Sequence, residues 1–371
     1  MRKMLTPHVR AIGRPAGPAQ DDAVDPAGVE GTPAALKNDL IQLVGQDQVL
    51  HRVSDLIRYA SDASPYRYLP QVVVVARTVG DVRAILAYCA RTGRHATFRA
   101  GGTSMNGQSQ SDDILIDVRR HWGGMAVEDG GARLRARPGT ILGQANAVLR
   151  RAGRRLGPDP ASASVATIGG VIANNAGGMR CTLERNAYHT VSSLTLVLAS
   201  GTVIDTAAPG AQAAFAVAEP ELAAGLHQLR EELLADEELA HRVRHKFAIR
   251  NTNGYALSAL LDADTPLEIF RRLIVGSEGT LAFMAEAVID TIPAPAVTTV
   301  SWIVLPSISE AAALVPGLVA QGAEAAELML APALAAAPQA FPGTPQYWRS
   351  LDPAAAASAL GGPLLAVVSE T

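Results

Sequence analysis

The stretch Thr167-Ile168-Gly169-Gly170-Val171-Ile172-Ala173-Asn174-Asn175-Ala176-Gly177-Gly178 decides how this chain folds. Two Gly-Gly pairs, eight residues apart, flank an apolar run and an Asn pair. A glycine inside a helix costs roughly 1 kcal/mol relative to alanine. A helix bearing such pairs is therefore expected to carry something flat and large against its backbone. Glycine-mediated helix packing is the competing reading, and the stretch by itself leaves both open. Gly157-Pro158-Asp159-Pro160 precedes it.

A second glycine segment, Arg99-Ala100-Gly101-Gly102-Thr103-Ser104-Met105-Asn106-Gly107-Gln108, lies between two predicted strands. Without Cβ atoms, glycines let successive backbone N–H groups turn toward one point and form an anion-binding nest. Thr103 and Ser104 add hydroxyl donors. The composition is that of a phosphate cradle, yet it fits neither G-x-G-x-x-G nor G-x-x-x-x-G-K-[ST]. Neither nicotinamide Rossmann binding nor P-loop hydrolysis is supported. A β-branched side chain at Gly102 is expected to fill the space where a phosphate meets the backbone; a tight strand-to-strand connection is the plain alternative. The third segment, Gly276-Ser277-Glu278-Gly279-Thr280, opens a long strand and alone reads as an ordinary turn.

Around these segments the pattern is that of mixed strands and helices. Val72-Val73-Val74-Val75 suits a buried strand. Thr78 stands three residues before Asp81, a capping-box spacing, and Val79, Val82, Ile85, Leu86 and Cys89 follow at helical spacing to Gly93. Cys89 is thus read as a core thiol. Strands over 96–99 and 114–117 complete a β-α-β-β unit ending near Arg120. The next unit opens with a strand over 133–137, turns at Pro138-Gly139 and continues as a helix to Gly153. It then adds a hairpin around Ser200-Gly201, a helix over 220–236, the basic run from His241 to Arg250 and a long strand over 281–292. Beyond Pro293 and Pro295 a fresh strand (297–305), helix (309–320) and strand (324–329) mark a domain boundary. The chain ends on Pro363–Thr371, which reads as a strand that stops.

Composition bounds the function. The 371 residues are 48% hydrophobic and 18% charged with a net charge of −3, which describes a soluble globular protein of two or three domains. No basic surplus exists to neutralise phosphates, which argues against a nucleic-acid partner. No apolar run reaches the ~18–20 residues of a transmembrane segment. Two cysteines, Cys89 and Cys181, exclude a disulfide scaffold and any four-cysteine zinc or iron–sulfur site within the chain. Residues 1–33 read as a disordered arm. No apolar signal-peptide core follows Arg2 and Lys3, so cytoplasmic residence is expected, with peripheral membrane contact as its variant.

Together the three glycine segments resemble the flavin-binding domain shared by vanillyl-alcohol oxidase and para-cresol methylhydroxylase. The likeness is closest to the branch of D-lactate, glycolate and D-2-hydroxyglutarate dehydrogenases, and it covers roughly residues 35–330. It implies an α+β fold: a two-lobed FAD-binding domain (34–122 and 123–296) followed by an incomplete α/β cap (297–371). It further implies that Arg99, Gly101, Gly102, Thr103 and Ser104 hold the FAD pyrophosphate. Thr167, Gly169, Gly170, Asn174, Gly177 and Gly178 are implied to line the flavin and diphosphate, and Gly276, Glu278 and Gly279 to join the same site. The implied cofactor set also takes in Asn106, Gly107 and Pro158. Asn253-Gly254-Tyr255 and Val203-Ile204-Asp205 look like further family positions. Relatives with a covalent histidyl flavin place His directly after the first Gly-Gly pair. Thr103 stands there, which implies non-covalent FAD, with a cysteinyl bond to Cys181 as the alternative.

The implied reaction removes a hydride from the α-carbon of a D-2-hydroxy acid to flavin N5 while a base takes the hydroxyl proton. A quinone, cytochrome or iron–sulfur centre, rather than NAD, is the implied acceptor. Relatives place a His-rich metal site and carboxylate-gripping cations partly in the cap. Here no His follows His245, and none of the eight histidines has a recognised metal spacing. No metal ligand and no catalytic residue is assigned. Residues 175–181 and 246–255 look most like large proteins that fuse a flavin half to a cysteine-rich iron–sulfur half. The chain is therefore expected to be truncated, with an iron–sulfur cluster only if such a half follows. The alternative function is an incomplete, non-catalytic flavin-binding subunit. Arg244, Lys246 and Arg250 either attract an anionic hydroxy acid or FAD phosphates, or form a solvated surface, with Arg250 the strongest functional candidate. His189 is read as a structural histidine.

Overall fold

The computed structural model describes residues 31–305, 307–329 and 364–370. The expected arm falls, up to residue 30, outside the described residues, as do residues 330–363 and Thr371. The chain divides into two compact units at Ile292/Pro293, with residues 178–180 grouped with the second.

In the first unit, α1 (Ala34–Val44) buries Leu36 and Leu40, and is followed by β1 (Val49–Leu50) and α2 (Val53–Arg58). β2 (Val72–Val75) is buried at every position. α3 (Val79–Thr92) starts at the expected capping box: Thr78 Oγ1 accepts from the Asp81 N–H, while the Asp81 carboxylate accepts from the Thr78 N–H. It ends at Gly93 with φ +68°. β3 (Ala96–Arg99) and β4 (Ile114–Asp117) pair in parallel, and the sheet order is β1-β2-β4-β3. β2 and β4, parallel and buried at every position, read as near-continuous apolar runs, whereas β3 is half-buried.

A five-stranded antiparallel sheet forms the rest of this unit's framework. Its strands are β5 (Met125–Glu128), β6 (Arg133–Ala136), β7 (Val191–Leu198), β8 (Val203–Asp205) and β9 (Ala282–Asp290), in the order β5-β6-β9-β7-β8. Helices α4 (Leu142–Leu149) and α5 (Ile168–Asn174) precede the short α6 (Ala187–Thr190). Then come α7 (Ala211–Ala218), α8 (Pro220–Ala235), α9 (Glu237–Phe247) and α10 (Pro266–Ile274). The basic run is thus largely helical, with Arg244 and Lys246 in the last turn of α9, where cations suit the helix dipole. One core joins the two sheets. Phe283 of β9 stacks on Phe98 of β3 at 4.7 Å and meets Trp122 edge-on at 4.8 Å. The Trp122 indole donates to the Ala76 carbonyl at 2.9 Å.

The second unit contains β10 (Thr298–Val304), α11 (Ile308–Ala320), β11 (Ala323–Met329) and β12 (Leu364–Glu370). The terminal strand lies in the middle of a three-stranded antiparallel sheet, β10-β12-β11. Ser307 caps α11 by accepting from the Glu310 N–H.

Candidate flavin site

The loop after β3 is braced from below. Arg99 donates from Nη1 to the Tyr59 carbonyl (3.0 Å) and from Nη2 to the Ser61 carbonyl (2.7 Å), with its guanidinium over the Tyr59 ring. Tyr59 in turn donates to Asp117 at the end of β4. A second brace centres on Asp62, which accepts from Ser64 N–H (2.9 Å), Ser109 Oγ (2.8 Å) and Gln110 Nε2 (2.6 Å). Burial pushes the Asp62 carboxyl up, but these hydrogen bonds outweigh it and hold it below the ordinary value. The sequence carried no signal for this polar scaffold: apart from the local Ser64–Asp62 bond, its bonds cross about 40 to 60 residues, as Arg99–Tyr59 does, and follow no period.

Arg99 therefore acts as a strut under the loop. An ideal Cβ on Gly102, where φ is +65°, would stand 2.8 Å from Arg99 Nη2. The side-chain direction at Gly102 is thus occupied by the Arg99 guanidinium. Among the described residues, the N–H groups of Gly101, Gly102, Thr103, Ser104 and Met105 donate to no protein acceptor. Such a run of free N–H groups in a glycine loop, half-buried from Gly101 to Ser104, can take an anion. The Ser104 hydroxyl is engaged with Gln108, and Asn106 is exposed. Gly107, at φ +82°, turns past the Tyr66 ring.

The structure sorts the remaining glycines by what a side chain would meet. Gly101 lies against the backbone of Val165, its ideal Cβ 2.8 Å from that carbonyl oxygen, which joins the loop to the segment leading into α5. Gly169 faces Pro138 at 2.6 Å, and Gly157 faces the Arg185 carbonyl at 2.0 Å. These three are demanded by packing. Gly170 is different: a Cβ there meets only Thr167 Oγ1 at 3.7 Å. Thr167 itself is 1% exposed, and its hydroxyl is buried with no hydrogen-bond partner. An unneeded helical glycine beside an orphaned buried hydroxyl is what a cofactor lying on α5 requires.

α5 bears only the first Gly-Gly pair, because Asn175 closes it with φ +50°. Gly177 follows in the first unit, and Gly178 groups with the second. The third segment docks on the end of α5. Gly276 N–H donates to the Ile172 carbonyl (3.0 Å), Glu278 N–H to that of Ala173 (2.8 Å), and Asn174 Nδ2 to Glu278 Oε1 (2.7 Å). Burial pushes the Glu278 carboxyl above its ordinary value, and the Asn174 bond only partly offsets this. Ser277, 2% exposed, holds a second buried hydroxyl without a partner. Gly279, at φ +73°, has open space before it. Pro158 lines a small apolar void with Leu142, Ile168 and Val171. The residues thus fit a bound dinucleotide cofactor: free N–H groups, an open helix face and orphaned hydroxyls.

Cys181 is 2% exposed, and burial pushes its thiol up to about 11. Such a thiol is a poor nucleophile, which disfavours a cysteinyl flavin. Cys89 is likewise buried on α3 and pushed up to about 11. Among the described residues no group of three or more His, Cys, Asp or Glu side chains could hold a metal. No helix among them is long and apolar enough to cross a membrane.

Residues 70–207 match a family described as FAD binding domain. Over 258 residues the chain is 31% identical to a D-2-hydroxyglutarate dehydrogenase of Pantoea ananatis, covering 67% of this chain and 25% of that protein. Over 263 residues it is 26% identical to the glycolate oxidase subunit GlcD of Bacillus subtilis, covering 70% and 45%. It therefore spans about a quarter to a half of the length of these relatives. Among solved structures, an alkyldihydroxyacetonephosphate synthase aligns with TM-score 0.62 and 16% identity, over 98% of this chain and 60% of the other. A p-cresol methylhydroxylase aligns with TM-score 0.59 and 15% identity, over 94% and 62%. At these identities the two structures bear on the fold.

Proposed function

We propose that this chain, which matches a FAD binding domain family over residues 70–207, is a flavoprotein of the para-cresol methylhydroxylase type and the flavin-bearing part of a D-2-hydroxy-acid dehydrogenase. The D-2-hydroxyglutarate, glycolate and D-lactate class supplies the substrate, and the electrons leave to a quinone, cytochrome or iron–sulfur centre. Sequence kinship to a D-2-hydroxyglutarate dehydrogenase supports the reaction class. The observation that carries the cofactor placement is Gly170, open to space beside the unpartnered Thr167 hydroxyl.

When bound, FAD supplies the hydride acceptor. The chain's own residues hold and orient it. The free N–H groups of Gly101 to Met105 take the negative charge of the diphosphate, and Arg99 keeps that loop in shape from beneath. Thr167 and Ser277 offer hydroxyls that have no protein partner. The Asn174–Glu278 bond ties the end of α5 to the third glycine segment, so the two sides of the cradle keep a fixed spacing.

Purified protein should carry a visible flavin that denaturation releases as FAD. Anaerobic addition of D-2-hydroxyglutarate, D-lactate or glycolate should bleach it. A colourless protein that FAD cannot reconstitute would overturn the cofactor placement. A flavin that stays oxidised with all three acids would overturn the dehydrogenase reading for this chain and leave a flavin-binding subunit.

A further inference from the structure

α9 turns Ala240 and Val243 toward the core and leaves its remaining faces in solvent. From Leu239 to Leu261 the chain has no Asp or Glu. Over the same stretch Arg242, Arg244, Lys246 and Arg250 bring four fixed positive charges into a protein of net charge −3. Arg242, Arg244 and Lys246 are exposed, and none of the three side chains has an ion-pair or hydrogen-bond partner among the described residues. Arg250 is tied to the Cys181 carbonyl and adds its charge from a fixed position.

Apolar side chains stand among these cations. Leu239, Arg242, Lys246 and Ile249 succeed one another at intervals of three, four and three residues, which sets them along one stripe of a helix. Ala248, in helical conformation, carries that winding past the last turn of α9 to Ile249. Leu239 is exposed, and Ile249 is 71% exposed. Tyr255 and Leu257 are exposed on the segment that follows, with the Tyr255 hydroxyl 2.8 Å from Thr280 Oγ1. The face thus presents cations and large apolar side chains together, with no carboxylate from this stretch among them.

We propose that this face of α9 and the segment after it dock on an anionic lipid surface, with Arg242 and Lys246 among the headgroups and Ile249 entering the acyl boundary. Basic amphipathic helix faces have the chemistry for such surfaces: cations meet the lipid phosphates while neighbouring aliphatic side chains leave water. An acidic protein would answer the charge as well. A protein interface, however, gathers its apolar groups at a centre inside a polar rim. On this stripe the order is reversed, with the two cations between Leu239 and Ile249. That order suits a partner that sets depth rather than register. The docking does not rest on the reaction proposed above, although a bilayer is where a quinone acceptor dissolves.

The test is flotation of the full chain with lipid vesicles. Phosphatidylcholine alone should leave it in solution, whereas vesicles with about one-third phosphatidylglycerol should bind it and release it at about 1 M salt, where the screening length falls to ~3 Å. Arg242→Gln and Lys246→Gln should each weaken partitioning about fivefold, the equivalent of about 1 kcal/mol per cation. Ile249→Ser should weaken it about fivefold or more at unchanged charge. Arg91→Gln, the same charge loss on α3, should change it less than about twofold. All four positions are exposed, so the variants should melt with the wild type, which separates lost docking from lost folding. No binding to either vesicle overturns the proposal and leaves the patch to an acidic protein. Equal binding to both vesicles, wild-type partitioning of Arg242→Gln and Lys246→Gln, or an equally large loss in Arg91→Gln overturns the docking face. Losses in the two cation variants with none in Ile249→Ser overturn the insertion.

Discussion

Gly169 and Gly170 stand side by side in the first turn of α5, and the structure assigns them opposite responses to one added methyl group. At Gly169 the new Cβ lands 2.6 Å from Pro138 Cβ, closer than packed carbon atoms approach, so the turn at Pro138 must move. At Gly170 the only neighbour is Thr167 Oγ1, at an ordinary 3.7 Å. Gly170→Ala should therefore stabilise the flavin-free protein by about 0.5–1 kcal/mol, through the lower backbone entropy of its unfolded chain. For a domain of this size that is a rise of about 1–4 °C in Tm. Gly169→Ala should lower it. FAD affinity should move the other way at Gly170. If the cofactor lies on the open helix face, an added methyl overpacks that contact at about 1–3 kcal/mol, or about 5- to 150-fold in Kd. Thermal melts of the apo-protein and quenching of flavin fluorescence on titration read the two effects separately. A Gly170→Ala protein that is stabilised yet binds FAD as tightly as wild type would refute the placement of the cofactor on α5.

Gly102→Val should abolish flavin retention and destabilise the apo-protein too, because it strains a φ of +65° and drives into the Arg99 guanidinium; absorbance ratios and melts test both. Glu278 binds its proton more tightly in the folded chain than in the unfolded one, so its ionisation costs stability as pH rises through the raised folded value. Glu278→Gln should accordingly outlast wild type in urea near neutrality, with the advantage vanishing below about pH 4; a constant or inverted difference contradicts the burial. Phe283→Ala removes the ring held between Phe98 and Trp122 and should cost about 3–5 kcal/mol by urea denaturation. Neither Cys89 nor Cys181 should react with a thiol reagent at pH 8 before the chain unfolds, given thiols that are buried and pushed up to about 11.

The elements most legible in the sequence are those specified by neighbouring residues. The four valines of β2, the Thr78–Asp81 box that starts α3 and the Ser200-Gly201 turn between β7 and β8 each carry their instruction within a few positions. The polar braces under the glycine loop are different in kind. Tyr59 meets Asp117 and Gln110 meets Asp62 across tens of residues, and no period or cap announces a bond whose partner is chosen by the fold. The glycines show the same limit from the other side. In the sequence Gly101, Gly157, Gly169 and Gly170 look alike, all set in segments that resemble one flavin family. In the fold the first three are filled by the backbone of Val165, the carbonyl of Arg185 and the ring of Pro138, while the fourth is met by nothing but a hydroxyl in van der Waals contact. A glycine-rich segment of this type thus does two separable jobs, close approach within the protein and room kept for a ligand. Substitutions at the first class should act on stability whether or not flavin is present; at Gly170 the penalty should appear only in flavin binding.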